Sequence, residues 1–241
     1  MSRVFACSDL HGRYDLWLQI KNFLQEDDKL FFLGDAADRG PDGIKIMGEL
    51  LTDKRVVYLY GNHEDMLVHE CPMIIEGRSC GSGLWHYNGG IPTIKAFQKM
   101  SEDSQFWLLR KIRELPRKAE YINKNNQRIF MCHAGTNPGM EEEKDWGYKD
   151  AFIWNRDHFY DDWFEGYDDL FIVHGHTPVT SLKYKLNILK ENEPIEMFRY
   201  ADGHKFDIDL GSVMTNKTVL LDLDTFEPIY FQITRDSRGL N

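Results

Sequence analysis

The sequence predicts an α/β fold on three observations: five short apolar runs that each end in polar residues, amphipathic stretches between them, and a strand-rich last third. The runs Val4 to Cys7, Leu30 to Leu33, Val56 to Tyr60, Arg128 to Cys132 and Leu170 to Val173 have the length, composition and flanks of buried strands. Between and after them, Arg13 to Gln25, Gly43 to Leu51, Ile91 to Met100 and Ser104 to Leu115 repeat apolar residues near the three-to-four spacing of a helix. In the last third, Ile188 to Tyr200, Val219 to Leu223 and Ile229 to Ile233 read as antiparallel strands, with Asp224-Thr225 and Glu227-Pro228 as turn chemistry. They predict a second sheet rather than a second domain.

Composition bounds the function. A chain of 241 residues predicts one domain over 1–241, and 42% hydrophobic with 13% aromatic residues excludes a disordered or fibrous chain. A formal charge of −10 argues against general nucleic-acid or anionic-membrane binding, so an anionic substrate must meet local positive charge. The four cysteines, Cys7, Cys71, Cys80 and Cys132, are too scattered for a disulfide framework, which predicts a reducing, cytoplasmic setting. The chain opens directly into a strand-like run and never reaches 18 consecutive apolar residues, so no targeting or membrane-spanning segment is expected, and a monomer is the default.

The chemistry lies where the strands end. The five runs lead into Ser8-Asp9-Leu10-His11, Gly34-Asp35-Ala36-Ala37-Asp38-Arg39-Gly40, Gly61-Asn62-His63-Glu64, His133-Ala134-Gly135 and His174-Gly175-His176-Thr177-Pro178. Open α/β sheets bind ligands at these ends. Any one cluster is ordinary turn chemistry. Together, Asp9, His11, Asp35, Asn62, His133 and His176 offer carboxylate, amide and imidazole donors, a mixture that suits Mn²⁺, Fe or Zn²⁺ better than Ca²⁺ or Mg²⁺.

This ordered series resembles the calcineurin-like metallophosphoesterases, and more narrowly the PPP-type phosphatases. Arg39, Glu64 and the downstream Trp154-Asn155-Arg156 point to that branch. Trp85 with Asn88-Gly89-Gly90 and Thr93, and the closing Ile208-Asp209-Leu210-Gly211, resemble its small bacterial and phage-type members, so the likeness covers nearly the whole chain. The resemblance implies an α-β-β-α sandwich of two mixed sheets flanked by helices. It implies two divalent transition-metal ions, Mn²⁺ first, with Asp9 and His11 on one, Asn62, His133 and His176 on the other, and Asp35 bridging. Against two divalent ions the carboxylates of Asp9 and Asp35 leave roughly +2 (+4 − 2), which suits a phosphate dianion.

Arg39 and Arg156 match the family's phosphate-gripping arginines, with Asn62 also on the substrate side, and His63 matches the acid for the leaving oxygen, oriented by Asp38. The implied reaction is direct in-line attack by a metal-bridging hydroxide, without a covalent phosphoenzyme. Departures are few: Ser8 stands where Gly is usual, Ala36-Ala37 replace bulkier residues, Leu210 replaces Thr, and Met214-Thr215-Asn216-Lys217 lacks the usual glycines. Pro178 occupies the place of a further metal-binding His in broader relatives.

Other residues read more plainly. His174, at the end of an apolar run, is expected behind the site rather than on a metal, and Cys7 and Cys132 as packed hydrophobes. His69, Cys71, Cys80 and His86 fit no usual zinc spacing. His204 and Tyr200 sit near the closing motif as candidate cleft-lining residues, and Glu141-Glu142-Glu143-Lys144-Asp145 reads as a solvated loop. Residues 66–90, rich in Gly and aromatic side chains, are expected as a loop edging the cleft that selects the substrate. The expected function is phosphomonoester hydrolysis, first as a protein serine/threonine phosphatase acting on phosphorylated protein or small phosphoesters. Symmetrical diadenosine tetraphosphate hydrolysis is the alternative, and an inactive phospho-binding module comes third.

Overall fold

A computed structural model of the chain describes residues 2–78, 83–140, 145–146 and 149–234. In chain order the strands are β1 (Val4–Cys7), β2 (Lys29–Phe32), β3 (Val56–Tyr58), β4 (Lys118–Ile122), β5 (Arg128–Cys132), the short β6 (Asp145–Trp146) and β7 (Lys149–Asp150), β8 (Leu170–His174), β9 (Phe198–Tyr200), β10 (Lys205–Asp207), β11 (Lys217–Asp222) and β12 (Pro228–Gln232). The helices are α1 (Tyr14–Phe23), α2 (Gly43–Thr52), α3 (Asn62–Ile75), α4 (Leu84–Tyr87), α5 (Ile91–Phe97), α6 (Glu102–Arg113), α7 (Ala151–Trp154), α8 (Val179–Lys185) and α9 (Ser212–Thr215).

Two five-stranded sheets form, in the orders β12-β11-β1-β2-β3 and β4-β5-β8-β10-β9. Each has three neighbouring parallel strands, β1-β2-β3 along one side of the first sheet and β5-β8-β10 at the centre of the second, and the remaining strands are antiparallel. Side chains alternate faces along a strand, and the core follows that period. In β1 and β2, Phe5, Cys7, Leu30 and Phe32 pack against helices, while Val4, Ala6, Phe31 and Leu33 turn into the space between the sheets. Ile129, Met131, Phe171, Val173 and Phe206 fill that space from the second sheet, and Phe130, Cys132, Leu170 and Ile172 face its outer side. Both sheets are therefore covered on two faces, giving the expected α-β-β-α sandwich. Truncating a fully buried anchor such as Phe5 or Phe32 costs about 3–5 kcal/mol.

Three sequence expectations change. Val219 to Leu223 and Ile229 to Ile233 do not build the second sheet. As β11 and β12 they extend the first, with β11 antiparallel to β1 in the register Phe5 to Asp222. The reason lies in the β11 pattern: Val219 and Leu221 face between the sheets and Leu220 faces the helices, so this strand needs cover on both sides. Of Ile188 to Tyr200 only Phe198–Tyr200 is strand, because Asn187 and Asn192 take left-handed backbone and break the run. Residues 66–90 are not one loop. Met66, Leu67 and Cys71 are buried on α3 at helical spacing, and the late Pro72 and the following glycines obscured that helix.

Candidate functional site

The candidate ligands stand where the sequence analysis looked, beyond the carboxyl ends of β1, β2, β3, β5 and β8. All six are buried. The turns that carry them are strained: Asp9, His11, Asp35, Asp38, Arg39 and His176 all have positive φ, between 45° and 71°. For residues with a side chain such conformations cost of order 1–3 kcal/mol each and cluster at functional sites. Gly34 (φ 98°) enables the approach of two turns, since a Cβ there would meet Gly61 Cα at 2.7 Å.

Second contacts fix each donor. His11 Nδ1 lies 2.9 Å from the Ala37 carbonyl and His133 Nδ1 2.8 Å from the Leu33 carbonyl. Each Nδ1 therefore carries the proton, and each Nε2 presents its lone pair. Asp35 faces both imidazoles: Oδ2 is 3.7 Å from His11 Nε2 and Oδ1 is 3.4 Å from His133 Nε2. Asp9 Oδ1 lies 3.7 Å from His11 Nε2, and Asn62 Oδ1 lies 2.8 Å from both His133 Nε2 and His176 Nδ1. Two sets of ligand atoms each fall within 4.8 Å of one another: Asp35, His133 and His176, and His11, Asp35 and His63.

Lone pairs crowded this closely require a positive charge. Burial raises the carboxyl of Asp35, but His133, His63 and His11 outweigh it and hold the group well below the usual carboxylate range. Burial lowers the His133 imidazole, and the facing Asp35 overcomes this and pushes it up to about 9, so a proton and a metal ion compete for the Nε2 lone pair. Asp9 Oδ1 and His176 Nε2 are buried with no hydrogen-bond partner among the described residues. The donor set thus fits divalent cations, of the softer transition type.

Around the donors stand the other expected residues. His63 Nδ1 is 2.6 Å from Asp38 Oδ2, and its Nε2 is 3.7 Å from Asp35 Oδ2 and 3.3 Å from Arg39 Nη2. With Nδ1 directed at Asp38 Oδ2, Nε2 is the ring nitrogen that faces the cleft. Arg39 and Arg156 are exposed at the rim, and Arg156 Nε donates to Thr177 Oγ1 at 3.1 Å. Their forks are accessible to an anion.

Some residues fall elsewhere. His174 uses Nδ1 on the Gly175 carbonyl (3.1 Å) and Nε2 on the Tyr200 hydroxyl (2.7 Å). Tyr200 is therefore in the core and not on the cleft, and His204 stacks on Phe164 and Phe171. His69 is exposed on α3 and Cys71 is buried. Cys80 and residues 141–144 lie outside the described residues.

Glu64 and Asp209 were marked in the sequence only as motif residues, and their role in holding the turns was missed. Glu64 accepts the backbone N–H groups of Asp35 (2.8 Å), Ala36 (3.0 Å) and Gly61 (3.0 Å) and the Tyr58 hydroxyl (2.6 Å), which binds the β2 turn to the start of α3. The signal was its place at the third position of a helix. Ser212 Oγ donates to the carbonyl of Asp9 (2.6 Å), and buried Asp209 stands near Asp9 with its carboxyl well above the usual range through burial and that neighbour. Asp209 stood in the closing motif without an assigned role, and nothing pointed to Ser212.

Comparison with known proteins adds the family. The model for calcineurin-like phosphoesterase matches residues 2–208. Over 89% of this chain and 86% of the relative, the sequence is 27% identical to the asymmetrical bis(5'-nucleosyl)-tetraphosphatase PrpE of Oceanobacillus iheyensis. It is 30% identical to serine/threonine-protein phosphatase 2 of Escherichia coli over 57% of this chain and 60% of that one. A solved protein serine/threonine phosphatase from Saccharomyces cerevisiae superposes with a TM-score of 0.61 at 12% identity, covering 98% of this chain and 82% of that one, a likeness of fold.

Proposed function

Because the chain belongs to the calcineurin-like phosphoesterase family, we propose that this cleft hydrolyses phosphate monoesters of poor leaving groups, with phosphoserine and phosphothreonine as the leading substrate class. The observation that carries the reading is the buried His63–Asp38 pair facing the candidate metal ligands. An alkoxide leaves poorly unless it is protonated as the P–O bond breaks, and a histidine with Nδ1 anchored and Nε2 toward the cleft can supply that proton.

Asp9 and His11 would hold one ion, Asn62, His133 and His176 the other, with Asp35 between them. When bound, such ions supply Lewis acidity toward phosphoryl oxygens and acidify water to a pKa of about 7. Arg39 and Arg156 grip the non-transferring oxygens and stabilise charge as it develops on them. His63 donates from Nε2 to the leaving oxygen, while Asp38 keeps the ring oriented through Nδ1. His63 is assigned as acid although its Nε2 lies within reach of a metal group, because burial lowers its imidazole but Asp35, 3.7 Å from Nε2, and Asp38 on Nδ1 outweigh this and raise the group above its usual range, which keeps a proton on Nε2.

A second reading is dinucleoside tetraphosphate hydrolysis, favoured by the similarity to the Oceanobacillus enzyme along most of this chain. Its anhydride leaving group is itself a stable anion and depends less on the acid. A panel of phosphopeptides and dinucleoside tetraphosphates under Mn²⁺ decides between them. Turnover confined to the dinucleotides would overturn the phosphomonoester reading.

A further inference from the structure

The segment from α4 to α5, which begins inside the 66–90 stretch expected to select substrate, packs on the turn that carries Asp38. Trp85 is fully buried, and its indole Nε1–H donates to Asp38 Oδ2 at 2.7 Å. The same oxygen takes the His63 Nδ1–H at 2.6 Å. The backbone of the Asp38 turn is gripped from the same segment: Asp38 N–H donates to Thr93 Oγ1 (2.9 Å), and Arg39 N–H donates to the Gly89 carbonyl (2.8 Å). Gly90 lies flat on the indole, where a Cβ would stand 2.6 Å from Nε1, and a Cβ on Gly89 would stand 2.9 Å from Arg39 Cγ. The spacing Trp85, Gly89-Gly90, Thr93 is thus a clamp on residues 38 and 39.

We propose that Trp85 is a positioning residue for proton transfer, acting on His63 through Asp38; this rests on the reading of His63 as the acid. Asp38 sits in a strained turn (φ 71°), and its other oxygen, Oδ1, has no partner among the described residues. With both donors on Oδ2, the carboxylate cannot rotate without breaking a buried hydrogen bond. Without the indole N–H, only His63 itself restrains it, and the ring loses its fixed direction toward the leaving oxygen. A tryptophan that merely fills the core would need its shape and not its N–H.

The test removes the N–H, once with a smaller ring and once with the bicyclic shape kept. Trp85→Phe and a protein carrying the benzothiophene isostere of tryptophan at position 85 alone are assayed with Mn²⁺ on aryl phosphates from phenyl phosphate to dinitrophenyl phosphate. The expected result is a roughly tenfold fall in kcat on phenyl phosphate, where the leaving oxygen needs a proton, and less than about a twofold change on dinitrophenyl phosphate. KM should stay within about twofold for both. Equal losses along the series, or none, would overturn the proposal. If Trp85→Phe does not fold, the isostere decides, because it retains the bicyclic shape. His63→Asn in the same series separates the two ideas. If it too loses activity equally on all substrates, the acid reading fails and takes this inference with it. If it discriminates while the position-85 variants do not, only the role of Trp85 fails.

Discussion

The backbone N–H of His63 donates to Oδ1 of Asp35 at 3.0 Å, so one carboxylate caps the first turn of α3 and faces both candidate metal groups. Asp35→Asn keeps the shape and removes the charge. The expected outcome is loss of at least one bound ion, read by elemental analysis, with turnover falling in step. Two retained ions with near wild-type turnover would refute the shared-ligand role.

His63→Asn should leave metal content intact and lower turnover on an unactivated phosphoester by roughly 10²- to 10⁴-fold. Unchanged turnover on such a substrate would sink the acid assignment.

Chelation should abolish hydrolysis, and Mn²⁺ should restore it. The crowded lone pairs of Asp35, Asn62, His133 and His176 also predict that metal stabilises the fold, by about 2.7 kcal/mol at a hundred times Kd. Calorimetry with and without Mn²⁺ checks this, and an identical Tm in both conditions would contradict it.

Arg39→Lys and Arg156→Lys keep the charge and lose the planar fork. Competitive inhibition by inorganic phosphate should weaken about tenfold in each. Inhibition constants equal to the parent's would place the phosphate elsewhere in the cleft.

Lys205 gives a pH signature away from the metals. Its buried Nζ donates to Asn137 Oδ1 (2.7 Å) and to the carbonyls of His158 (2.7 Å) and Asp161 (2.8 Å), yet burial lowers its pKa to about 8 against the attraction of Asp161 and Asp162. The folded pKa lies below the ordinary 10.5, so between those values the unfolded chain binds the extra proton. Stability of the parent relative to Lys205→Met should therefore rise with pH across that window, by on the order of 3 kcal/mol in all. Urea unfolding of both proteins at several pH values measures the difference, and a flat difference curve would rule the shift out.

Much of the candidate site's geometry was legible because the candidate donors follow strand ends, where local composition and position coincide. Asp9, Asp35 and Asn62 could be found from the apolar runs before them. What stayed hidden depends on long-range pairing. Nothing near Val219 says that β11 lies beside β1, and nothing near Trp85 says that its N–H meets Asp38. The helix over Met66 to Cys71 was obscured for a local reason, since the nearby Pro72 and the glycines beyond it gave a stronger breaker signal than four apolar residues gave a periodic one.

The pairing of β1 has a consequence for the order of assembly. Phe5 is in register with Asp222, and Ser212 holds the carbonyl of Asp9, so the turn bearing Asp9 and His11 is completed by segments more than 200 residues later in the chain. During synthesis, β1 can pair with β2 early but keeps a bare edge until residues 217–222 have left the ribosome. The cleft is thus among the last parts to close, and a nascent chain stalled before that point exposes an apolar strand together with half of a metal site.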